Sequence, residues 1–205
     1  MIRGTAVKES VVSGTKEGDR EVQIRNIGIV GARSLSPKYA DRIGGIIDYL
    51  VQQGFHIATG GAMGTDQFVL EHLIERRYFE RSVVFSAWNN LKAFPVKVRR
   101  YIAFYEQHGG AVKWGASSGA ENPIAIKGAL LFRNRMLVDA SHGLVAFLTE
   151  QSRGTFFTVK AAIDQRRKLV LFPIHRELPN FKVVKWVPMA CGGIWDGAYR
   201  AVYLR

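Results

Sequence analysis

Residues 26–37 read Asn-Ile-Gly-Ile-Val-Gly-Ala-Arg-Ser-Leu-Ser-Pro, an apolar run that passes through a glycine turn into a helix start. A short apolar run bounded by a turn is typical of a buried strand. Serine followed by proline favours the first turn of a helix, because proline loses no hydrogen bond there. The next residues repeat at the spacing of one helical face: Ile43, Ile46, Ile47, Leu50 and Val51. The segment therefore predicts a strand, a turn and an amphipathic helix.

The same order of strand, turn and helix recurs along the chain. The predicted strands cover residues 26–31, 55–59, 82–85, 111–114, 143–148 and 169–173. A helical pattern follows each of the first five. Strands that alternate with helices form a parallel sheet with helices on both faces. The predicted fold class is therefore α/β, a doubly wound, mostly parallel, Rossmann-like sheet over residues 26–175.

The two ends of the chain do not follow this alternation. Residues 1–25 contain two strand-like runs around a turn, which predicts a short N-terminal β addition. Residues 176–205 form a basic C-terminal extension in which Trp186 and Trp195 alternate with lysine and arginine. Such a segment is either a terminal hairpin whose aromatic rings pack on the domain, which we favour, or a platform on which single-stranded bases stack.

Composition limits the class of protein and the chemistry. The 205 residues are 47% hydrophobic, enough for one sizeable core. No apolar run reaches the length of a membrane span and no signal-peptide core follows Met1, so we expect a soluble, cytoplasmic protein. Cys191 is the single cysteine and the five histidines are scattered, so we expect neither a disulfide nor a bound metal or other cofactor.

The charge of the chain points to an anionic partner. Lysine and arginine outnumber aspartate and glutamate by 29 to 17, which gives a formal net charge of +12. Residues 160–205 carry nine basic and three acidic residues, half of that excess. Clustered cations bind polyanions because they release condensed counterions, so nucleic acid is the first candidate. Solubility alone is the other explanation for a basic surface.

Three glycine turns stand where a predicted strand passes into a predicted helix. Carboxyl ends of parallel strands meet at one edge of a sheet, so these turns converge on one crevice of backbone N–H groups and helix N-termini, which suits a phosphate. The predicted phosphate-binding residues in these turns are Arg33, Ser34, Gly60, Gly61, Gly64, Thr65, Gly154 and Thr155. The glycines admit close backbone approach of a ligand. Asp66 has two equal readings, as a helix cap or as a ligand contact.

The run Arg133-Asn134-Arg135 interrupts an otherwise apolar helix. With Asn134 toward the crevice, the two arginines flank it, and all three are predicted to bind phosphate. Arginines are costly to desolvate unless an anion meets them. The structural alternative is a pair of salt bridges to Glu121 or Asp139.

These motifs together resemble the Rossmann domain of the DNA-processing protein A (DprA/Smf) family. The resemblance covers residues 26–175 and rests on Gly31-Ala32-Arg33, Thr59 to Asp66, Arg133 to Met136, Gly154-Thr155 and Leu171-Phe172-Pro173. It implies cytoplasmic single-stranded DNA binding, homodimerisation and help to a recombinase during DNA processing and recombination. It also implies that the glycine turn, Arg33 and the Arg-Asn-Arg element line the DNA pocket. Members of the family usually carry an N-terminal helical domain and often a C-terminal winged-helix-like domain, and we expect neither within these 205 residues.

The same superfamily contains the LOG-type phosphoribohydrolases, whose first motif is similar to Gly60 to Gly64. Their second motif supplies a glutamate for glycosidic cleavage, and here Thr158 stands at that position. A hydroxyl cannot replace a carboxylate beside an oxocarbenium-like transition state, so we expect a non-enzymatic protein without catalytic residues. The alternative function is a nucleotide-ligand sensor or a nucleoside monophosphate phosphoribohydrolase that uses the same crevice.

Overall fold

Strands and helices alternate through most of the chain in the computed structural model, which describes residues 24–190 and 192–204. The strands are β1 Asn26–Gly31, β2 His56–Gly60, β3 Ser82–Phe85, β4 Ala111–Lys113, β5 Gly143–Leu148, β6 Lys168–Pro173, β7 Val184–Pro188 and β8 Tyr199–Tyr203. The α-helices are α1 Ala40–Gln52, α2 Thr65–Glu75, α3 Val96–Gln107, α4 Pro123–Asp139 and α5 Arg153–Asp164. Each of the first five strands is followed by one of these helices.

The strands form one sheet in the order β4-β3-β2-β1-β5-β6-β8-β7. All pairings among β1 to β6 are parallel, and β8 joins β6 in the antiparallel direction. The prediction of a doubly wound, mostly parallel α/β sheet is confirmed. Strand order reverses between β1 and β5, which are neighbours although 111 residues and three other strands separate them in sequence.

Alternate side chains of the central strands enter two cores on opposite faces of the sheet. Ile29 of β1 packs with apolar residues of α1 and α2, whereas its neighbour Val30 packs with those of α4 and α5. Helix α3 completes the first face by packing Ile102 and Tyr105 against β3. Because both faces of the sheet are covered, successive residues of these strands are buried, and the strands are continuous apolar runs in the sequence.

The C-terminal extension is a β-hairpin that widens the sheet. Strands β7 and β8 pair antiparallel, with Val184 opposite Tyr203. The ring of Trp195 stacks 6.4 Å from that of Phe172, and Trp186 Nε1 donates to the Pro179 carbonyl at 2.8 Å. The favoured interpretation, a terminal hairpin whose aromatic rings pack on the domain, agrees with this arrangement.

The boundaries of several elements differ from the predicted ones. Ser36-Pro37 begins a short 3-10 helix, Pro37–Tyr39, rather than α1 itself, and the Ser36 side chain makes no capping hydrogen bond. Strand β2 is displaced by one residue from its predicted range, to His56–Gly60. The predicted N-terminal β addition lies outside the described residues, apart from residues 24 and 25. No helix within the described ranges is both long and apolar enough to cross a bilayer.

Candidate functional site

The candidate site lies where β1, β2 and β5 end. The turn after β1 holds Arg33, the turn after β2 runs from Gly61 to Gly64, and α5 starts at Arg153 shortly after β5. Strands β1 and β5 are neighbours, and the helices that follow them cover opposite faces of the sheet. A crevice forms at such a reversal of strand order, and ligands of open α/β sheets bind there.

Hydrogen bonds join the first two turns into one unit. Both the backbone N–H and the hydroxyl of Thr65 donate to the Ala32 carbonyl, each at 3.2 Å. Gly64 has φ +75°, and a Cβ on it would lie 2.4 Å from the Arg33 carbonyl oxygen. The close approach of the two backbones therefore requires glycine at this position. Thr65 is fully buried and its hydroxyl is occupied, so it holds the turns together rather than facing a ligand.

Gly60 and Gly61 admit side chains of the protein itself. A Cβ on Gly60 would lie 1.3 Å from Arg133 Nη1, and one on Gly61 would lie 2.3 Å from a ring carbon of Phe94. Close approach of a ligand to these glycines stays a prediction, and in this structure the space beside them holds protein side chains. Their backbone is covered by Arg133 and Phe94, and the missing Cβ atoms give space to these two residues.

Arg133 forms a buried ion pair with Asp66. Arg133 Nη1 lies 3.1 Å from Asp66 Oδ2, and the two side chains are only 7% and 6% exposed. The Ala62 N–H also donates to Asp66 Oδ2, at 3.2 Å. Burial raises the pKa of Asp66, and the positive charges of Arg133 and Arg33 oppose that rise. The Nε of Arg133 is buried and has no hydrogen-bond partner among the described residues.

This pair shows what Arg133 contacts within the protein, and its binding to phosphate stays a prediction. The sequence predicts an arginine available to a phosphate, whereas the guanidinium is already engaged by a carboxylate inside the protein. The structural alternative was right in kind and wrong in the partner: Glu121 binds Ser117 and Ser118, and Asp139 accepts from the Gln165 amide.

The other two residues of the Arg-Asn-Arg element go to different places. Asn134 Nδ2 donates to the Gly154 carbonyl at 3.3 Å and so ties α4 to the start of α5. Arg135 is exposed. Successive helical residues are about 100° apart, so Arg133 and Arg135 cannot both enter the turn that Arg133 fills. The structure brings Arg133 and Asn134 to the glycine turns and leaves Arg135 on the surface of α4.

The third turn is partly structural as well. Thr155 is 6% exposed, and the Thr158 hydroxyl donates to the Gly154 carbonyl at 2.9 Å. Gly154 is exposed, as are Arg33 and Ser34 after β1. Of the predicted phosphate-binding residues in the turns, these three are accessible to a ligand without rearrangement.

Sequence reasoning missed two features of the site. Asp66 was considered as a helix cap or ligand contact, and its pairing with Arg133 carries no local signal in the sequence. A cavity of about 150 Å³ lies beside Arg133, between α4 and the loops after β3 and β4. Its walls include Ala87, Gly115 and Gly128, and Phe132 at its border is 65% exposed. Small residues in these loops were the available sign of such a space.

Comparisons with known proteins identify a family and related folds. A family model described as DNA recombination-mediator protein A matches residues 12–185. No curated protein matches the sequence. Among solved structures, DNA processing protein A from Helicobacter pylori, described in its single-stranded DNA binding mode, is 21% identical with a TM-score of 0.58, over 75% of this chain and 66% of that one.

Two further solved structures share the fold. DNA processing protein A from Streptococcus pneumoniae is 19% identical with a TM-score of 0.57, over 76% of this chain and 52% of that one. The molybdenum cofactor binding protein of the phototrophic bacterium Rippkaea orientalis is 14% identical with a TM-score of 0.52, over 75% of this chain and 78% of that one. The chain therefore matches less than two thirds of the length of either DNA processing protein.

Proposed function

The chain belongs to the DNA recombination-mediator protein A family, and on that basis we propose that it binds single-stranded DNA in a DNA-processing role. The phosphates lie in the crevice at the carboxyl ends of β1, β2 and β5. Phosphate contacts carry no sequence information, so the protein has little base preference. We expect a homodimer and, as a further partner, a recombinase.

The accessible guanidinium of Arg33 carries the proposal. Arg33 lies in the turn after β1. The strand order of the sheet reverses between β1 and β5, and ligands of such sheets bind at this place. Arginine is suited to this task because its fork of donors matches two phosphate oxygens. Ser34 and Gly154 are exposed at neighbouring turns and offer further polar groups to the same strand.

Arg133 takes a supporting part in this proposal. Its buried Nε has no hydrogen-bond partner among residues 24–190 and 192–204, and its Nη1 lies against Asp66. The residue therefore stays in the wall, where the charge of Asp66 balances its own. Exposed Lys182, Lys185 and Arg200 on the hairpin extend the basic surface for a longer strand.

The proposal predicts that Arg33→Ala weakens binding of a single-stranded oligonucleotide by about tenfold or more at low salt, because a charge-assisted phosphate contact is lost. Filter binding at two ionic strengths measures this. Arg100→Ala, an exposed arginine of α3 on another part of the surface, is the control and stays within about twofold of the unaltered protein. Equal affinities of both variants, or affinity that does not change with salt, would refute the proposal.

The alternative ligand is a single nucleotide. In the hydrolase version of this alternative a carboxylate is needed at position 158, and the Thr158 hydroxyl there donates to a backbone carbonyl. Incubation with nucleoside monophosphates and detection of free base tests hydrolysis. Thermal stabilisation by a mononucleotide without retention of DNA supports a sensor. Light scattering at two protein concentrations tests the dimer.

A further inference from the structure

A buried carboxylate, Asp66, lies beside the arginines of the candidate site. Asp66 is within hydrogen-bond distance of Arg133, and the charge of Arg33 also acts on it. Capping of α2 does not account for this placement, because the Asp66 carboxylate accepts from Arg133 and from the Ala62 N–H at the preceding turn.

We propose, on the basis of the proposed function, that Asp66 determines which class of phosphate the crevice accepts, favouring the singly charged diester of a nucleic-acid backbone over the doubly charged monoester of a free nucleotide. Asp66 removes one unit of positive charge from the two that Arg33 and Arg133 supply. A diester linkage carries one negative charge, whereas a monoester carries close to two above its second pKa of about 6.

The discrimination follows from the charges alone. Attraction between a site and an anion grows with the product of their charges, so one unit of site charge changes the binding free energy of a dianion about twice as much as that of a monoanion. The carboxylate is buried, so water screens it poorly. A like charge placed against the unwanted ligand is a common route to specificity. Other cations near the crevice contribute equally to every variant and do not alter this comparison.

The arrangement also explains why the carboxylate is kept in place. A Cβ on Gly60 would lie 2.4 Å from Asp66 Oδ2, so glycine at position 60 makes room for the carboxylate as well as for Arg133. The Ala62 N–H holds the same oxygen. The negative charge is thus fixed at the start of α2, directly after the turn that follows β2, where the charge of Arg33 also acts on it.

A matched pair of ligands tests the proposal: thymidine 5′-monophosphate and its methyl ester, which differ by one charge at pH 8. Each competes with a labelled single-stranded oligonucleotide for the full chain. Asp66→Asn keeps the shape of the side chain and removes its charge. We expect it to improve binding of the monophosphate by about tenfold and of the methyl ester by about threefold, the square-root relation that the charge product requires.

Two further variants test whether the change in the ratio of the two affinities depends on the charge at the site. Asp164→Asn removes one negative charge at the far end of α5 and should leave the ratio of the two ligands unchanged. Arg33→Gln lowers the site charge by one, so the ratio should move in the opposite direction to that of Asp66→Asn. This arm also applies if Asp66→Asn does not fold, because Arg33 is exposed.

The outcomes are distinguishable. The inference is overturned if Asp66→Asn changes the affinities for the monophosphate and for its methyl ester by the same factor. It is also overturned if Arg33→Gln leaves the ratio of these two affinities unchanged. In both cases the oligonucleotide still binds. If the unaltered protein does not retain the oligonucleotide at all, the proposed function itself fails.

Discussion

At the scale of single residues, glycine is required at some positions around the site and replaceable at another. Gly64 is required by its positive φ and by the nearby carbonyl of Arg33. Gly60 is required because Arg133 and Asp66 occupy the space of its Cβ. Gly128 of α4 faces open space, where a Cβ would meet nothing within 4 Å. The same amino acid is thus indispensable at two positions and replaceable at the third.

This contrast predicts the effect of two alanine substitutions. Gly60→Ala should lower the free energy of unfolding by about 2 kcal/mol and weaken oligonucleotide binding, because the added methyl group displaces the Arg133–Asp66 pair. Gly128→Ala should leave stability unchanged or raise it by about 0.5–1 kcal/mol, since alanine is the better helix former. Urea unfolding and filter binding measure both. Equal stability of the two variants would contradict the assignment of Gly60.

At the scale of elements, the start of α4 is held by a dense set of hydrogen bonds. Glu121 accepts from the Ser117 hydroxyl and from the Ser118 N–H, both at 2.7 Å, and these bonds lower its pKa to about 2. Asn122 caps the helix by accepting from the N–H groups of Ile124 and Ala125. The loop before α4 is therefore ordered by its own polar residues. This matters to the site because α4 carries Arg133.

The depressed pKa of Glu121 predicts how the loop responds to acid. A carboxylate whose folded pKa lies below its unfolded value stabilises the fold above the unfolded pKa and loses that effect as the pH falls through the folded one. Glu121→Gln should therefore melt below the unaltered protein at pH 7, and the difference should shrink between pH 4.5 and about pH 2. Thermal melts across this range measure it. Glu150→Gln, another exposed glutamate, is the control, and a difference that does not depend on pH would contradict the prediction.

At the scale of the whole molecule, the C-terminal hairpin joins the domain rather than extending from it. Trp195 lies between Phe172 of β6 and Tyr49 of α1, with ring centres 6.4 Å and 5.8 Å away. The hairpin thereby covers the edge of β6 and one side of the first core. A nucleic acid that stacks its bases on the ring of Trp195 would first have to separate that ring from Phe172 and Tyr49.

This packing predicts that Trp195→Ala destabilises the protein and spares DNA binding. Loss of a half-buried tryptophan should cost about 2 kcal/mol of unfolding free energy. Val202→Ala, on the same hairpin and more exposed, should cost less than about 0.5 kcal/mol. If bases stack on the hairpin instead, Trp195→Ala would reduce oligonucleotide affinity with little change in stability. Chemical denaturation and filter binding on the same samples separate these outcomes.

Much of the architecture is readable from the sequence because its signals are local. The spacing of Ile43, Ile46 and Ile47 shows one helical face, and β1, β3 and β5 have the predicted bounds. Burial of both faces of the sheet makes these strands continuous apolar runs, which sequence patterns detect well. The rules for parallel connections limit the possible strand orders to a few, and the structure shows which of them the chain adopts.

The place where the glycine turns meet is likewise predictable from the sequence, whereas the contacts of each side chain are not. Turns such as Gly31 to Arg33 are marked by their glycines, and parallel strands bring them to one edge. Asp66 and Arg133 are 67 positions apart, and their pairing arises only when α4 packs against the end of β2. The spacing of residues in a helix predicts which of them share one face, but it does not predict which distant carboxylate packs against that face. The sequence by itself therefore determined that the glycine turns meet at the ends of the strands. The tertiary structure decided which arginine is exposed and which is paired inside, because burial and long-range charge pairing depend on how the elements pack.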